Sequence, residues 1–390
     1  MKSTKVFSYI LGSLLLCSVV FSVQTAEVHA ETKTGITTEY INEEDGSLRT
    51  IFWADGITPP KMGGTDSDFV KKVTDINSVR YVEYIAPYLP GNGWYDINKT
   101  DTMEQDANLC FAAVATNMLH WWFAQNTDYI DQYLTLHPDA PRADEIRSLK
   151  QPVFTQDDRS IYNIFLKQFS NRKDGYWPDL LEDQFINGYY PKEGGGTNSP
   201  ETDGEDLLQR GPYPNGGFFY PVFKTELLTV RHYYDYGYQQ LSRDLRSYFS
   251  KGNLVSLTYD MNRSAHVVTL WGIEYDASGN LTGIYFSDSD DDKSYGMQRY
   301  SVINKGGRAV VTTADNGSGS PVSCITALSP GQATWDRFFS PQKTELDLHW
   351  GETDFIYDGT LKQPELTASN IVPGDDIVLS VNGDGTNAGT

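Results

Sequence analysis

Residues 110–126 read CFAAVATNMLHWWFAQN, a stretch with no glycine or proline and rich in alanine, leucine and methionine. Such a composition predicts a helix, and Asn108 offers a capping side chain just before it. Its apolar residues (Phe111, Val114, Ala115, Met118, Leu119, Trp122) fall almost all round the helix rather than on one stripe. That is the pattern of a buried central helix, which the rest of the chain has to enclose. Residues 127–172 continue with weaker helical stretches. Farther on, Leu241, Leu245, Tyr248 and Phe249 fall at i, i+4, i+7 and i+8, an amphipathic helix stopped by Gly252.

Strand signals follow. Residues 254–259, 266–275 and 281–287 are β-branched and aromatic runs, and the Asp276–Asn280 turn joins the last two as a hairpin. Further strands are expected at 297–304, 308–313 and 321–328. Buried helix first and antiparallel sheet second make an α+β plan. Residues 51–95, broken by Gly56, Pro59-Pro60, Gly63-Gly64 and Pro90-Gly91, are expected to be loops with short strands or turns. Residues 185–217 are rich in glycine and proline, with 195–205 an exposed loop.

The ends carry their own signals. Lys2 and Lys5, the apolar run Ile10–Val23 and the sequence Val28-His29-Ala30 predict a signal peptide over residues 1–30. The run is shorter than the roughly 20 residues that a membrane span needs. A flexible segment is expected over 31–50, one ordered domain over 51–360, and a linker or disordered tail over 361–390. A secreted, extracellular protein follows from the leader. The formal charge is −21, and removing 1–30 takes away two lysines and one glutamate, leaving −22. So acidic a surface repels phosphate backbones and anionic membranes, so neither nucleic acid nor a membrane is expected as a partner. Composition leaves the oligomeric state open.

Of three cysteines, Cys17 leaves with the leader, so Cys110 and Cys324 remain. They could form one disulfide, or one of them could be a reactive thiol. Cys110 stands at the first turn of the strongest helix, where the helix dipole and unpaired amides favour a thiolate and could also hold an oxyanion. The bland alternative is a small buried apolar residue. A nucleophilic cysteine needs a base. His120 lies ten residues along the same helix, about 15 Å of rise, and cannot reach it. His137, His232 and His349 have no distinguishing context. His266 opens the apolar strand VVTLWGIEY after a polar loop, a place from which it could face a helix N-terminus, or sit incidentally. The hairpin adds a third group. His266 is ten residues before the turn and Asp288 eight after it, so the two are near neighbours, as in Cys-His-Asn/Asp sites.

The acidic run SDSDDDK could instead hold calcium, with Asp288, Asp290 and Asp292 at positions 1, 3 and 5 of an EF-hand loop. Lys293 would then stand where glycine is needed and Arg299 where a bidentate glutamate is needed, so the loop fails. The chain carries no HExxH, CxxC pair or phosphate-binding glycine loop, and neither a metal nor another cofactor is expected.

These residues resemble the IdeS/Mac-type immunoglobulin-degrading cysteine endopeptidases secreted by Gram-positive cocci. The likeness runs from about Ile51 to Trp335 through WADGITPP (53–60), GWYDINKT (93–100), NLCFAAVATNMLHWWFAQN (108–126), FINGY (185–189), GGFF (216–219), AHVVTLWG (265–272) and SDSD (287–290). The resemblance implies a papain-like cysteine protease domain that cuts host immunoglobulin heavy chains at or near the hinge in evasion of antibody, with IgG the first target and IgM the second. It makes Cys110 the nucleophile, His266 the general base, Asp288 the group that orients it and Asp290 a supporting carboxylate. Lys99, which by itself reads as an ordinary surface lysine, would take the oxyanion-stabilising place beside the Cys110 amide. The loop at 190–215 and the NRSA segment (262–265) depart from the pattern, which leaves the isotype open. The competing class is a secreted module that binds an antibody or glycan without cutting it.

Overall fold

A computed structural model describes residues 35–100, 106–140, 142–150, 159–169, 175–188, 190–191, 208–209, 216–235, 237–261, 264–290, 296–340, 347–352, 360, 364–369 and 379. The expected signal peptide and nearly all of the 190–215 loop lie outside them. No helix among the described residues is long and apolar enough to cross a membrane. The chain divides into two compact units, Glu31–Phe339 and a second formed by residues 1–30 and 340–390.

The larger unit contains β1 (Thr37–Ile41), β2 (Leu48–Trp53), β3 (Val70–Ile76) and β4 (Val79–Pro87), then helices α1 (Cys110–Gln125), α2 (Thr127–Leu136), α3 (Ala143–Leu149), α4 (Ser160–Phe169) and α5 (Pro178–Asn187). A two-residue pair, β5 (Tyr190–Pro191) and β6 (Leu208–Gln209), leads to α6 (Tyr220–Phe223), β7 (Thr229–Tyr233) and α7 (Tyr238–Ser250). The chain then runs through β8 (Leu254–Met261), β9 (Ser264–Asp276), β10 (Leu281–Ser287), β11 (Gly296–Lys305), β12 (Arg308–Thr312), β13 (Ser320–Leu328) and α8 (Gln332–Phe339). Helices and antiparallel strands therefore segregate along the chain, as an α+β protein requires. Lys251 caps α7, and Gly252 turns away from it with φ +71°, where the sequence places the stop.

The strands from β8 onward form a ring. β9 pairs with β8 and β10, β10 with β11, β11 with β12, β12 with β13, and β13 back with β8, all antiparallel. β2 and β1 extend from the far half of β9, β4 and β3 from β11, and β7 from β13. β9 is long enough to serve two neighbours along one edge, pairing with β8 through Leu270 and with β2 from Gly272 on.

Two expectations are corrected here. Residues 31–50 are not loose throughout: β1 pairs with β2, which buries Arg49, Ile51 and Trp53 on one face. Residues 70–87 form two strands of seven and nine residues rather than short pieces among loops. Both pairs lie at the margin of the sheet, where exposed polar residues break the apolar alternation that marks a half-buried strand.

The central helix is as enclosed as its sequence demands, with every residue from Phe111 to Phe123 buried. Asn108 does not cap it; Leu109 is the cap, without a side-chain bond, and its carbonyl accepts from Ala112 and Ala113. One end of the helix packs into an aromatic cluster of Trp122, Phe219, Phe223, Tyr133 and Trp335, the last supplied by α8. Beside it, α5 buries Asp179, Glu182 and Asp183 together. Asp179 pairs with Arg231 at 2.6 Å, and Asp183 accepts from the Leu228 amide and the Thr229 hydroxyl. Neither oxygen of Glu182 has a hydrogen-bond partner. Burial first, then the neighbouring Asp179 and Asp183 charges, push its carboxyl well above the usual range, so it is held neutral despite Arg231.

In the second unit, β14 (Leu348–Trp350) pairs with β15 (Leu366–Ala368), so part of the segment expected to be a tail is a strand.

Candidate active site

Three elements of the larger unit bring their ends together. Cys110 is the first residue of α1 and is partly exposed, whereas Leu109 and Phe111 on either side are buried. Its amide lies ahead of the helical ladder, where backbone donors have no partner within the helix. His266 is the third residue of β9 and is 4% exposed. Asp288 follows the last residue of β10, one step beyond the Ser287–Thr269 pair, and so reaches diagonally to the histidine. Its Oδ1 lies 2.6 Å from His266 Nε2. The Cys110 side chain is close enough to act on the imidazole electrostatically, favouring its charged form.

The remaining two residues singled out by sequence complete the cluster. Asp290 donates its amide to Asp288 Oδ1 at 2.9 Å and points its own Oδ2 at His266 Nδ1, 3.6 Å away. Its other oxygen pairs with the Lys99 ammonium. Lys99 is no surface lysine: its side chain is 10% exposed, its Nζ donates to the Ala107 carbonyl at 2.7 Å, and its amide donates to Ser289 O at 2.9 Å. The ammonium is thereby fixed between the acidic turn and the segment leading into Cys110.

Asn117, two helical turns below Cys110, ties these pieces together. Its Nδ2 donates to Thr269 Oγ1 at 3.2 Å and Ser287 Oγ at 3.3 Å, and its Oδ1 accepts from the Ile97 amide at 3.0 Å. Ser287 Oγ in turn donates to Tyr95 O and accepts from Trp271 Nε1, both at 2.9 Å. One buried polar centre thus links the helix of Cys110, the strand of His266, the strand leading to Asp288 and the segment leading to Lys99. Nothing in the apolar pattern names these partners, but an asparagine in the middle of an apolar helix is itself a signal, because a buried amide must be hydrogen-bonded. Asp106 does similar service nearby, accepting from the Thr100 amide and hydroxyl at 2.8 Å and from Tyr162 OH at 3.1 Å.

The electrostatics favour a charged imidazole. Burial of His266 opposes its protonation, but the adjacent Asp288 carboxylate, its hydrogen bond and the neighbouring Cys110 side chain outweigh that and raise the pKa from 6.5 to about 10. Burial likewise works against the Asp288 anion and is overcome by His266, the Asp290 amide and Lys99, so its carboxyl lies below the usual range. Tyr259 lies edge-on to the imidazole with ring centres 5.6 Å apart, limiting how the ring can turn.

The other histidines stand apart. His120 is buried beside the Tyr95 ring, His137 packs on Tyr133, and His232 hydrogen-bonds Tyr248 OH at 2.6 Å. His349 belongs to the second unit. Cys110 and Cys324 are both free. Cys324 is buried on β13, and burial pushes its thiol up to about 12, as suits an inert core residue. Counting the acidic run as a calcium loop overlooked a different grouping: ligand atoms of His266, Asp288 and Asp290 all lie within 4.8 Å of one another.

The sequence is similar to that of a known protein. An IgM protease of Streptococcus suis (strain P1/7) is 34% identical over 323 residues, 80% of this chain, and the chain spans 27% of that relative's length. The family model described as Mac 1 matches residues 18–335, a span that includes Lys99, α1 and its cysteine, β9 and its histidine, and the acidic turn after β10. The cysteine and histidine blocks whose resemblance pointed this way thus lie inside a match covering most of the sequence, and the chain belongs to the Mac family.

Proposed function

We propose that this chain is a thiol endopeptidase of papain-like arrangement that cleaves immunoglobulin heavy chains. The observation that carries the reading is His266, bonded through Nε2 to Asp288 at 2.6 Å and influenced electrostatically by Cys110 at the start of a buried helix. Cys110 opens a helix whose first amides have no partner within it and can meet an oxyanion. The thiolate attacks the scissile carbonyl, the Cys110 amide and the Lys99 ammonium meet the developing oxyanion, and the imidazolium protonates the leaving amine. The neutral imidazole then takes a proton from the water that hydrolyses the acyl-enzyme. Asp288 keeps Nε2 protonated and the ring aimed throughout, while Asp290 positions Lys99.

The substrate class rests on family membership. The sequence alone puts IgG first and IgM second; a relative named an IgM protease moves IgM ahead. Secretion and action against host antibody accord with the leader at residues 1–30. Cleavage of IgM, IgG, casein and a hinge peptide at equal enzyme, followed on gels, tests the proposal. An intact immunoglobulin should be cut at one heavy-chain position, with casein and the peptide nearly untouched. Cys110→Ala should abolish cutting while the circular dichroism spectrum is unchanged. Antibody binding without cleavage by the unsubstituted chain would favour a binding module, and equal cleavage of casein would remove the claimed specificity.

A further inference from the structure

The acidic turn after β10 holds Lys99 from one side, through Asp290 and the Ser289 carbonyl. Asp106 holds it from the other. Its side chain is buried, and three donors converge on the carboxylate. The Thr100 amide reaches Oδ2 at 2.8 Å, the Thr100 hydroxyl reaches Oδ1 at 2.8 Å, and Tyr162 OH reaches Oδ2 at 3.1 Å. Tyr162 is itself buried on α4. Burial, and then the Asp106 charge, push its phenol well above the usual range, so it stays a donor. A buried carboxylate with three such partners is fixed in place, because shifting it would strand the donors as well as its own oxygens.

Its place in the chain gives that fixed carboxylate a use. Thr100 follows Lys99 directly, so the bonds to its amide and hydroxyl set where the lysine backbone lies. On the other flank, Asn98 gives its carbonyl to the Arg159 guanidinium, which lies 5.3 Å from the centre of the Tyr162 ring. The start of α4 therefore braces both neighbours of Lys99. The main chain of Asp106 acts on the far end of the same side chain. Its carbonyl accepts from the Leu109 amide at 2.9 Å, closing the turn that leads into α1 and Cys110. Inside that turn, the Ala107 carbonyl takes Lys99 Nζ at 2.7 Å. One residue thus fixes the lysine backbone through its side chain and the carbonyl that receives the ammonium through its own backbone.

We propose that Asp106 is a positioning residue for the oxyanion, setting where the Lys99 ammonium stands relative to the helix of Cys110; the inference rests on the peptidase reading above. Asp106 acts through Lys99 and not on the reacting atoms. A donor moved by about 1 Å from the place that the oxyanion takes loses much of its effect. The charge develops only after the thiolate has added to the carbonyl, so the loss falls on kcat rather than on KM. Alkylation of Cys110 by iodoacetamide forms an S–C bond and breaks the C–I bond, with iodide leaving on its electron pair. No oxyanion arises in that step, so it should not respond to Asp106.

The test uses the full chain with Asp106→Ala, Asp106→Asn and Thr100→Val. Asparagine keeps an acceptor for the Thr100 amide and Tyr162 and is the conservative rescue. Valine removes the Thr100 hydroxyl but keeps its amide bond, and it stands in if the alanine variant fails to fold. The first readout needs no hydrolysis: acetylation by limiting acetic anhydride of Lys99 relative to exposed Lys61, followed by mass spectrometry. Asp106→Ala should raise that ratio by roughly 10-fold, Thr100→Val should raise it less, and Asp106→Asn should leave it near the unsubstituted value. The second readout is immunoglobulin cleavage. In Asp106→Ala, kcat should fall by roughly 10²-fold with KM little changed and the rate of Cys110 alkylation unaltered, and asparagine should restore most of kcat. A Lys99 ratio unmoved in both Asp106→Ala and Thr100→Val would overturn the inference. So would alkylation that falls in step with kcat, as a merely structural role would give, or an asparagine variant no better than alanine. An unsubstituted chain that cuts no antibody would fail the peptidase reading, and the Lys99 ratio would still decide whether Asp106 fixes the lysine.

Discussion

Replacing Asp288 by asparagine keeps an acceptor for the Nε2 hydrogen and removes the charge, which separates two things that Asp288 does. Raising the imidazole from 6.5 to about 10 favours its charged form by about 5 kcal/mol, at about 1.36 kcal/mol per pH unit. Asp288 is the largest of the groups acting in that direction, and burial, which acts against it, remains in the variant. The loss of an opposite charge at this distance should lower the histidine by about 1–3 pH units. The assay is the rate of Cys110 alkylation as a function of pH. In the unsubstituted protein, alkylation changes near pH 10 as the imidazolium loses its proton. In Asp288→Asn that change moves to lower pH by the stated amount, while Asp288→Ala, which also frees the ring, lowers kcat for hydrolysis by about 10²–10⁴-fold. Stability follows the same window. The folded imidazole keeps its proton to about pH 10 and the unfolded one loses it near 6.5. The stabilisation is therefore complete below 6.5, fades as pH rises toward 10, and is smaller in Asp288→Asn. A change that stays near pH 10 in Asp288→Asn would refute the claim that the carboxylate charge holds the imidazolium.

Asn117→Ala leaves the Ile97 amide, Thr269 and Ser287 without their shared partner; it should cost about 3 kcal/mol in urea unfolding and lower kcat more than it raises KM, because the three parts of the site lose their common anchor. Glu182→Gln should stabilise the protein increasingly as pH rises above 4.5, since a raised carboxyl gives stability below its unfolded value and loses it with rising pH; equal melting curves of both proteins across pH would contradict this. Trp335→Ala opens the aromatic cluster at the far end of α1 and should lower unfolding free energy by about 3–5 kcal/mol, with Cys110 alkylation unchanged in the remaining folded protein.

Much of this was legible in the sequence because of where burial is greatest. The helix of Cys110 and the strands β8 to β13 are nearly all buried, so apolar runs and turn residues mark them within a few residues of their ends. Counting out from the Asp276–Asn280 turn placed Asp288 beside His266, because two register irregularities in the β9–β10 pair cancel. β3, VKKVTDI, left no such mark, since it is exposed on both faces. Lys99 looked like a surface residue because its partners, Asp290 and Ser289, come from the other end of the fold. The resemblance named its position, but only tertiary contact explains its burial.

The ring of strands sets an order of mobility. Strands hydrogen-bonded on both sides release amide hydrogens to solvent only when neighbours separate, whereas the outer edges of β1 and β3 are paired on one side only among the described residues. In hydrogen–deuterium exchange the two arms should therefore exchange long before the ring does. His266 lies on the ring strand that pairs with both β8 and β10. Fraying of the arms therefore leaves the histidine where it is.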